Sequence, residues 1–495
     1  ATGLSPGFYN VSWTLFLDQF GDPEIDDGID GFYALSDSAV NSAHRSYSLE
    51  GYNFSRGDDV CFLTELYLGE ALGDPLAADE VCEDVPLEWT NTDLTTLSDN
   101  YYSSNNTVIA SYSSMAIDDN DVVHFTYYDA GFGALRWGTW DGAIVGDELI
   151  DTVGDISGIE GAKSSIAIDS EGEPHVSYYN DDFDLRYAYR STEGAWTTMT
   201  VKSDDVVKYG EWSSLALDSQ DVAHISYYSD YDEGSVLYSH RMEGEIWETD
   251  QIDSYRTGKH TSIVIDVEDN PHIAYYDDWD DELIYAHVGG TGWSTENVDD
   301  MAGSYPSLAV DADLVPHISY SSDDGDLRYA YLTFEGDWQV TLVVEDNGVS
   351  TTSMELDSND DPHISFFNDF SAWGGSLSLQ YAGMVDGALD VVWSETPPSL
   401  LSGDLTISLD SNDNPHMLYY NSDKEVMLSY SGADYSGSSS NSLSGSVDIS
   451  VDLVANELDV LLQLSDITIG SALDIHSTLF WENSVPTIIL EDYYT

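Results

Sequence analysis

Seven residues occupy one equivalent place in a unit that this chain repeats: Tyr112, Lys163, Trp212, His260, Tyr305, Thr351 and Asp404. Each stands just before the residue pair, most often Ser-Ser or Thr-Ser, that opens a strand. A scaffold has no need of Tyr, Lys, Trp and His at such a point. Brought together in a ring, they would supply aromatic faces for a sugar or peptide, an ammonium group, and an imidazole and phenol able to move protons. Loop residues released from packing also vary, and on that reading the ring has no task.

The positions gain meaning from the unit that carries them. One copy reads Ser164-Ser-Ile-Ala-Ile-Asp169, a turn, Pro174-His-Val-Ser-Tyr-Tyr179, a turn, Leu185-Arg-Tyr-Ala-Tyr189, a turn, then Ala195-Trp-Thr-Thr-Met-Thr-Val201. Its fixed mark is a histidine, at His124, His175, His224, His272, His317, His363 and His416, recurring every 45 to 53 residues. Each copy holds four short apolar/polar alternations parted by Asp, Asn, Ser and Gly, the pattern of half-buried strands joined by hairpins. Four antiparallel strands at this period make a blade, so the chain is all-β and residues 85 to 431 form a seven-bladed β-propeller. The repeated histidines sit at equivalent places, like the structural histidine of WD-repeat propellers, and are expected to be buried and satisfied by a neighbouring turn.

The fourth strand carries Trp196, Trp247, Trp293, Trp338 and Trp393, but the seventh copy ends without one. Leu87-Glu-Trp-Thr-Asn-Thr92 lies ahead of the first copy and has that strand's pattern. Residues 86 to 95 are therefore expected to close the ring as the outer strand of the last blade.

The 93 acidic and 13 basic residues leave a formal charge of −80. No nucleic acid or anionic membrane is an expected partner, since phosphate binding needs Lys/Arg patches. Such a field favours a salty medium or bound cations and resembles halophilic or marine proteins. There is no 18-residue apolar run, so no membrane insertion is expected. The chain opens at Ala1, which suggests a mature, exported protein. In that setting Cys61 and Cys82 would form a disulfide; in a cytosolic protein they would be buried thiols. Asn10, Asn53 and Asn105 open glycosylation sequons, which arise readily by chance in a Ser/Thr-rich chain.

Two groups of carboxylates could hold Ca²⁺. Asp26, Asp30 and Asp37 partly match a calcium loop, although Gly28 stands where an oxygen ligand belongs. The hairpins 180–184, 277–282 and 322–326 supply further oxygens, or simply a solvated rim. Outside the repeat, residues 1 to 84 and 447 to 495 read as strands of an immunoglobulin-like β-sandwich, with a Ser/Gly linker at 432 to 446. Each end piece is small for a sandwich of its own, so the two would pair in one chain or complete a neighbouring copy, building a filament.

The unit Ile-Asp-Ser-x-Gly/Asp-x-Pro-His-Ile-Ser-Tyr-Tyr, carried by residues 168 to 180 and 356 to 368, resembles the propeller repeats of large secreted proteins from marine archaea and bacteria, loosely related to BNR and sialidase-like propellers. The resemblance implies the fold and leaves function open. A sialidase arginine triad is not expected, because Arg136, Arg186 and Arg328 fall in third strands, and the Asp-box is missing. The expectation is a non-enzymatic extracellular protein acting in adhesion or as a filament subunit, with copies of itself and surface glycans as partners. The alternatives are a polysaccharide lyase using His260 as base and Tyr305 as acid, and a lectin using Trp212 and Tyr305.

Overall fold

Apart from short breaks, the computed structural model describes residues 113 to 431 and the strand at 89 to 94 in full. In the terminal segments it describes the backbone of the strands alone. Seven four-stranded antiparallel sheets form a seven-bladed β-propeller. Blade 1 comprises Ser114–Ile117, Val123–Asp129, Ala134–Trp140 and Ile144–Thr152. Blades 2 to 6 repeat this order without interruption. Blade 7 takes three strands from Thr406–Leu409, Pro415–Tyr420 and Val426–Ser431, and its fourth is Trp89–Asp93, with Trp89 opposite Ser431 and Asp93 opposite Met427.

Packing explains why the sequence alternates where it does. Second strands lie in the middle of each sheet with another blade on either side, so Pro174–Tyr179 and Pro316–Ser321 are buried along their whole length. Outer strands are more open: Trp338–Val344 has no fully buried residue, although Trp338 and Val340 still pack toward blade 4 and Val343 and Val344 toward blade 6. The apolar clusters lie between blades: Leu185, Tyr187 and Val201 of blade 2 pack on Leu215, Ile225 and Tyr227 of blade 3. Each fully buried side chain of this size contributes about 1.5–3 kcal/mol. Polar clasps repeat the same message. Ser170 gives its amide and hydroxyl to Asp221 of the next blade, Ser219 does so to Asp269, and Ser411 of blade 7 does so to Asp121 of blade 1, closing the ring.

The described chain divides into two compact units, 89–433 and 1–88 with 434–495. The second holds the sheet Tyr9–Asp18, Asp59–Leu68, Ala77–Asp84 and the sheet Ser442–Val454, Glu457–Gly470, Thr487–Glu491. A two-stranded ribbon pairs Ser42–His44 with His476–Thr478 of the same chain. The strand from Ser442 begins inside the stretch read as a linker. Leu443, Val447, Ile449, Val451 and Leu453 supply a period of two that the Ser/Gly content obscured. Cys61 stands directly opposite Cys82 in paired strands, and Asn10 opposite Tyr67. Asp26, Asp30, Asp37, Asn53 and Asn105 lie outside the described residues.

Candidate functional site

The repeated histidines are structural. In blades 1 to 6 the Nε2 faces an aspartate six residues upstream at 3.1–3.4 Å. That aspartate also takes the amides two and four residues after it, fixing the turn. In blades 2 to 6 a third-strand tyrosine hydroxyl meets Nδ1 at 2.5–3.1 Å. A neutral imidazole that donates to the carboxylate and accepts from the phenol satisfies both nitrogens. Burial holds His175, His224, His272 and His317 below the usual imidazole pKa, against the opposing pull of their aspartates.

The other end of the inner strands is irregular. In blades 3 and 4 the first strands, Tyr209–Leu217 and Thr257–Ile265, slip register against the second strand around residues 211 and 259. Gly210 and Gly258 make the slip possible, with φ of 104° and 105°. A Cβ on Gly258 would sit 2.4 Å from Val236 Cγ2 of the preceding blade. Next in line, Trp212, His260 and Tyr305 take φ of 51°, 54° and 63°, a left-handed conformation that bulky residues rarely adopt. Each such residue costs about 1–3 kcal/mol and persists only where its surroundings hold it. Here the following blade does so: Thr261 Oγ1 donates to the Trp212 carbonyl at 2.8 Å, and Thr352 Oγ1 to that of Tyr305 at 2.9 Å.

These three side chains form a row. Trp212 and His260 lie 5.1 Å apart between ring centroids, and His260 and Tyr305 4.0 Å. A lysine caps each end, Lys259 at 5.8 Å from the Trp212 ring and Lys163 at 5.7 Å from the Tyr305 ring. Lys163 belongs to blade 2, yet it also pairs with Asp404 of blade 7 at 3.3 Å, so it reaches over the channel. Lys259 pairs with Asp278 at 2.8 Å. Five of the seven expected positions are thus joined by contact. Thr351 is buried, and Tyr112 lies outside the described residues. Trp212 is only 5% exposed and packs on Tyr228, which corrects its expected role as an open stacking face: it is the floor beneath His260. Sequence reasoning missed Lys259, although it adjoins His260, and read Asp278 only as part of the acidic hairpin 277–282.

The chemistry of His260 differs from that of the repeated histidines. Desolvation, then Lys163 and Lys259, hold it well below the usual imidazole pKa. It is therefore a neutral base near pH 7; among the described residues its Nδ1 is buried without a hydrogen-bond partner, as is that of His124, but His260 alone of the two lies against lysines. The acidic hairpins lie at this same end, because second strands run back toward the mouth. Their oxygens are largely committed to their own turns: Asp277 takes the amides of Trp279 and Asp280, and Asn180 that of Asp184. Among the described residues, no group of three or more His, Cys, Asp or Glu side chains is placed to hold a metal ion. Arg136, Arg186 and Arg328 each pair with an outer-strand carboxylate, Asp147, Asp151 and Asp299 respectively.

The fold and this mouth define a seven-bladed β-propeller with a cluster of ionisable and aromatic groups over its channel. No family model and no curated protein matches the chain. Among solved structures it is similar to the BP39L lectin from Burkholderia pseudomallei, with 12% identity over 66% of this chain and 97% of that one, at a TM-score of 0.49. The polysaccharide lyase Uly1 is similar at 10% identity over 69% and 96% of the chains, with a TM-score of 0.42. An ulvan lyase from a new family of polysaccharide lyases matches at 12% identity over 65% and 92%, with a TM-score of 0.46. The expectation of a non-enzymatic protein is corrected here. Propellers of like shape include enzymes, and shape therefore gives no ground for setting catalysis aside.

Proposed function

We propose that the mouth of the channel is a saccharide site, and that His260 and Tyr305 equip it to cleave its ligand by elimination. The observation that carries this reading is the 4.0 Å contact between a neutral imidazole and a phenol, both held in a strained backbone conformation. In such a cleavage His260 takes the proton from the ring carbon beside a carboxyl group. The bond to the leaving oxygen breaks as a carbon–carbon double bond forms, and Tyr305 gives its proton to that oxygen. Lys163, over the Tyr305 ring, lies close enough to offset charge that develops there.

The test is ultraviolet absorbance from the unsaturated product during incubation with uronate-containing polysaccharides. His260→Ala is expected to lower the rate at least about a hundredfold. An unchanged rate in that variant removes the assignment of the base. A second reading, binding without cleavage, rests on the capped row of rings alone. It predicts calorimetric binding of an oligosaccharide that gives no product and is lost in Tyr305→Ala.

A further inference from the structure

The chain's 13 basic residues are five lysines and eight arginines, and the structure sorts them. Arg136, Arg186, Arg190, Arg241 and Arg328 all lie in third strands. There Arg186 and Arg190 reach Asp151 and Glu148 of blade 1 and Arg328 reaches Asp299 of blade 4, while Arg136 pairs with Asp147 within blade 1. Four lysines lie instead where an outer strand leads into the next inner strand, and two of them, Lys163 and Lys259, reach the row of rings. Lys163 precedes Ser164–Ile168, Lys202 ends Trp196–Lys202, Lys208 precedes Tyr209–Leu217, and Lys259 lies within Thr257–Ile265. Each ammonium sits 4.9–5.8 Å from an aromatic centroid.

We infer that the mouth takes an anionic saccharide, its carboxylate or sulfate seated against His260 between Lys163 and Lys259. This rests on the saccharide reading above and names the ligand class within it. Three observations carry it. The row of rings is capped by a cation at both ends. Both lysine side chains remain 30% exposed, and each ammonium has three donors, of which its carboxylate partner takes one. Finally, among the described residues the charges that act on His260 are those of the two lysines, in a chain of net charge −80. Asp404 and Asp278 each offset one lysine, so what the mouth offers an anion is the spare donors of two ammonium groups, one at each end of the row that holds His260.

The experiment is calorimetric titration of the full chain with oligogalacturonate, its neutral methyl ester, dextran sulfate and dextran, at fixed ionic strength. The expected result is that at least one anionic ligand binds about tenfold or more tightly than its neutral counterpart. The arm that binds tells carboxylate from sulfate. Lys163→Gln and Lys259→Gln should each weaken the anionic ligand about tenfold and the neutral one less than about twofold, with near-ultraviolet circular dichroism unchanged. Equal affinity for charged and neutral partners overturns the inference and leaves the saccharide site standing. Binding of none of the four overturns both.

Discussion

His272 and His260 lie in the same blade, twelve residues apart, at opposite ends of the inner strand pair. His272 has Asp266 at 3.1 Å and Tyr285 at 2.5 Å, and the same arrangement recurs in blades 2 to 6. His260 has no carboxylate partner among the described residues; it has a strained backbone, two aromatic neighbours and two lysines. Both are kept neutral by burial, yet one is satisfied and the other poised. Repetition marks what every blade needs in order to pack, and the residue that departs from it is released from that need.

Substitutions can break this contrast. His272→Ala removes a buried imidazole with two polar partners and is expected to cost about 2–4 kcal/mol, measured by chemical denaturation. A loss below about 1 kcal/mol would mean that the triad does not hold the blade. The same histidines set a pH dependence. His124, His175, His224, His272, His317 and His416 bind protons less readily folded than unfolded. The stability they lend is present above pH 6.5 and falls as pH drops through that value, so the thermal midpoint should decline between pH 7 and pH 5.

Glu355 departs from the repeat at the regular end of the strands. It stands opposite His363, where the other inner strands carry Ala, Val or Ser, and its Oε2 takes the amide of Leu409 at 3.0 Å. Burial pushes its carboxyl up from 4.5 to about 7. Folding therefore favours the protonated form, and stability is lost as pH rises from about 4.5 through 7. Glu355→Gln should stabilise the propeller at pH 8 by up to about 3 kcal/mol and do nothing at pH 4. The smallest effect is expected at the mouth. His260→Gly relieves the left-handed strain and should leave stability unchanged or raised by about 1 kcal/mol, whereas any glycine for His272 is destabilising.

Much of this architecture is legible in the chain because a propeller writes its blade seven times. The histidine period, the displaced Trp89 strand and the seven entry positions can all be read by aligning copies of one sequence with each other. The reach of Lys163 to blades 5 and 7 cannot, since it depends on ring closure and on one long side chain. Nor can the register slips at Gly210 and Gly258, which come from contact with the preceding blade. Lys259 went unnoticed because it lies one residue outside the aligned position. The burial of Trp212 escaped notice too: its residue type invites a stacking role, and only the packing of Tyr228 and His260 against it shows that it serves as support.

The central claim is that the mouth, with His260 at its centre, is where this propeller meets its ligand. Nuclear magnetic resonance of the histidine ring protons during titration with an acidic oligosaccharide tests it most directly. The expected result is that the His260 signals move and its pKa rises as the anion arrives, while the signals of the seven repeated histidines stay in place. Movement spread among the repeated histidines, or a ligand that binds and leaves His260 untouched, would contradict it.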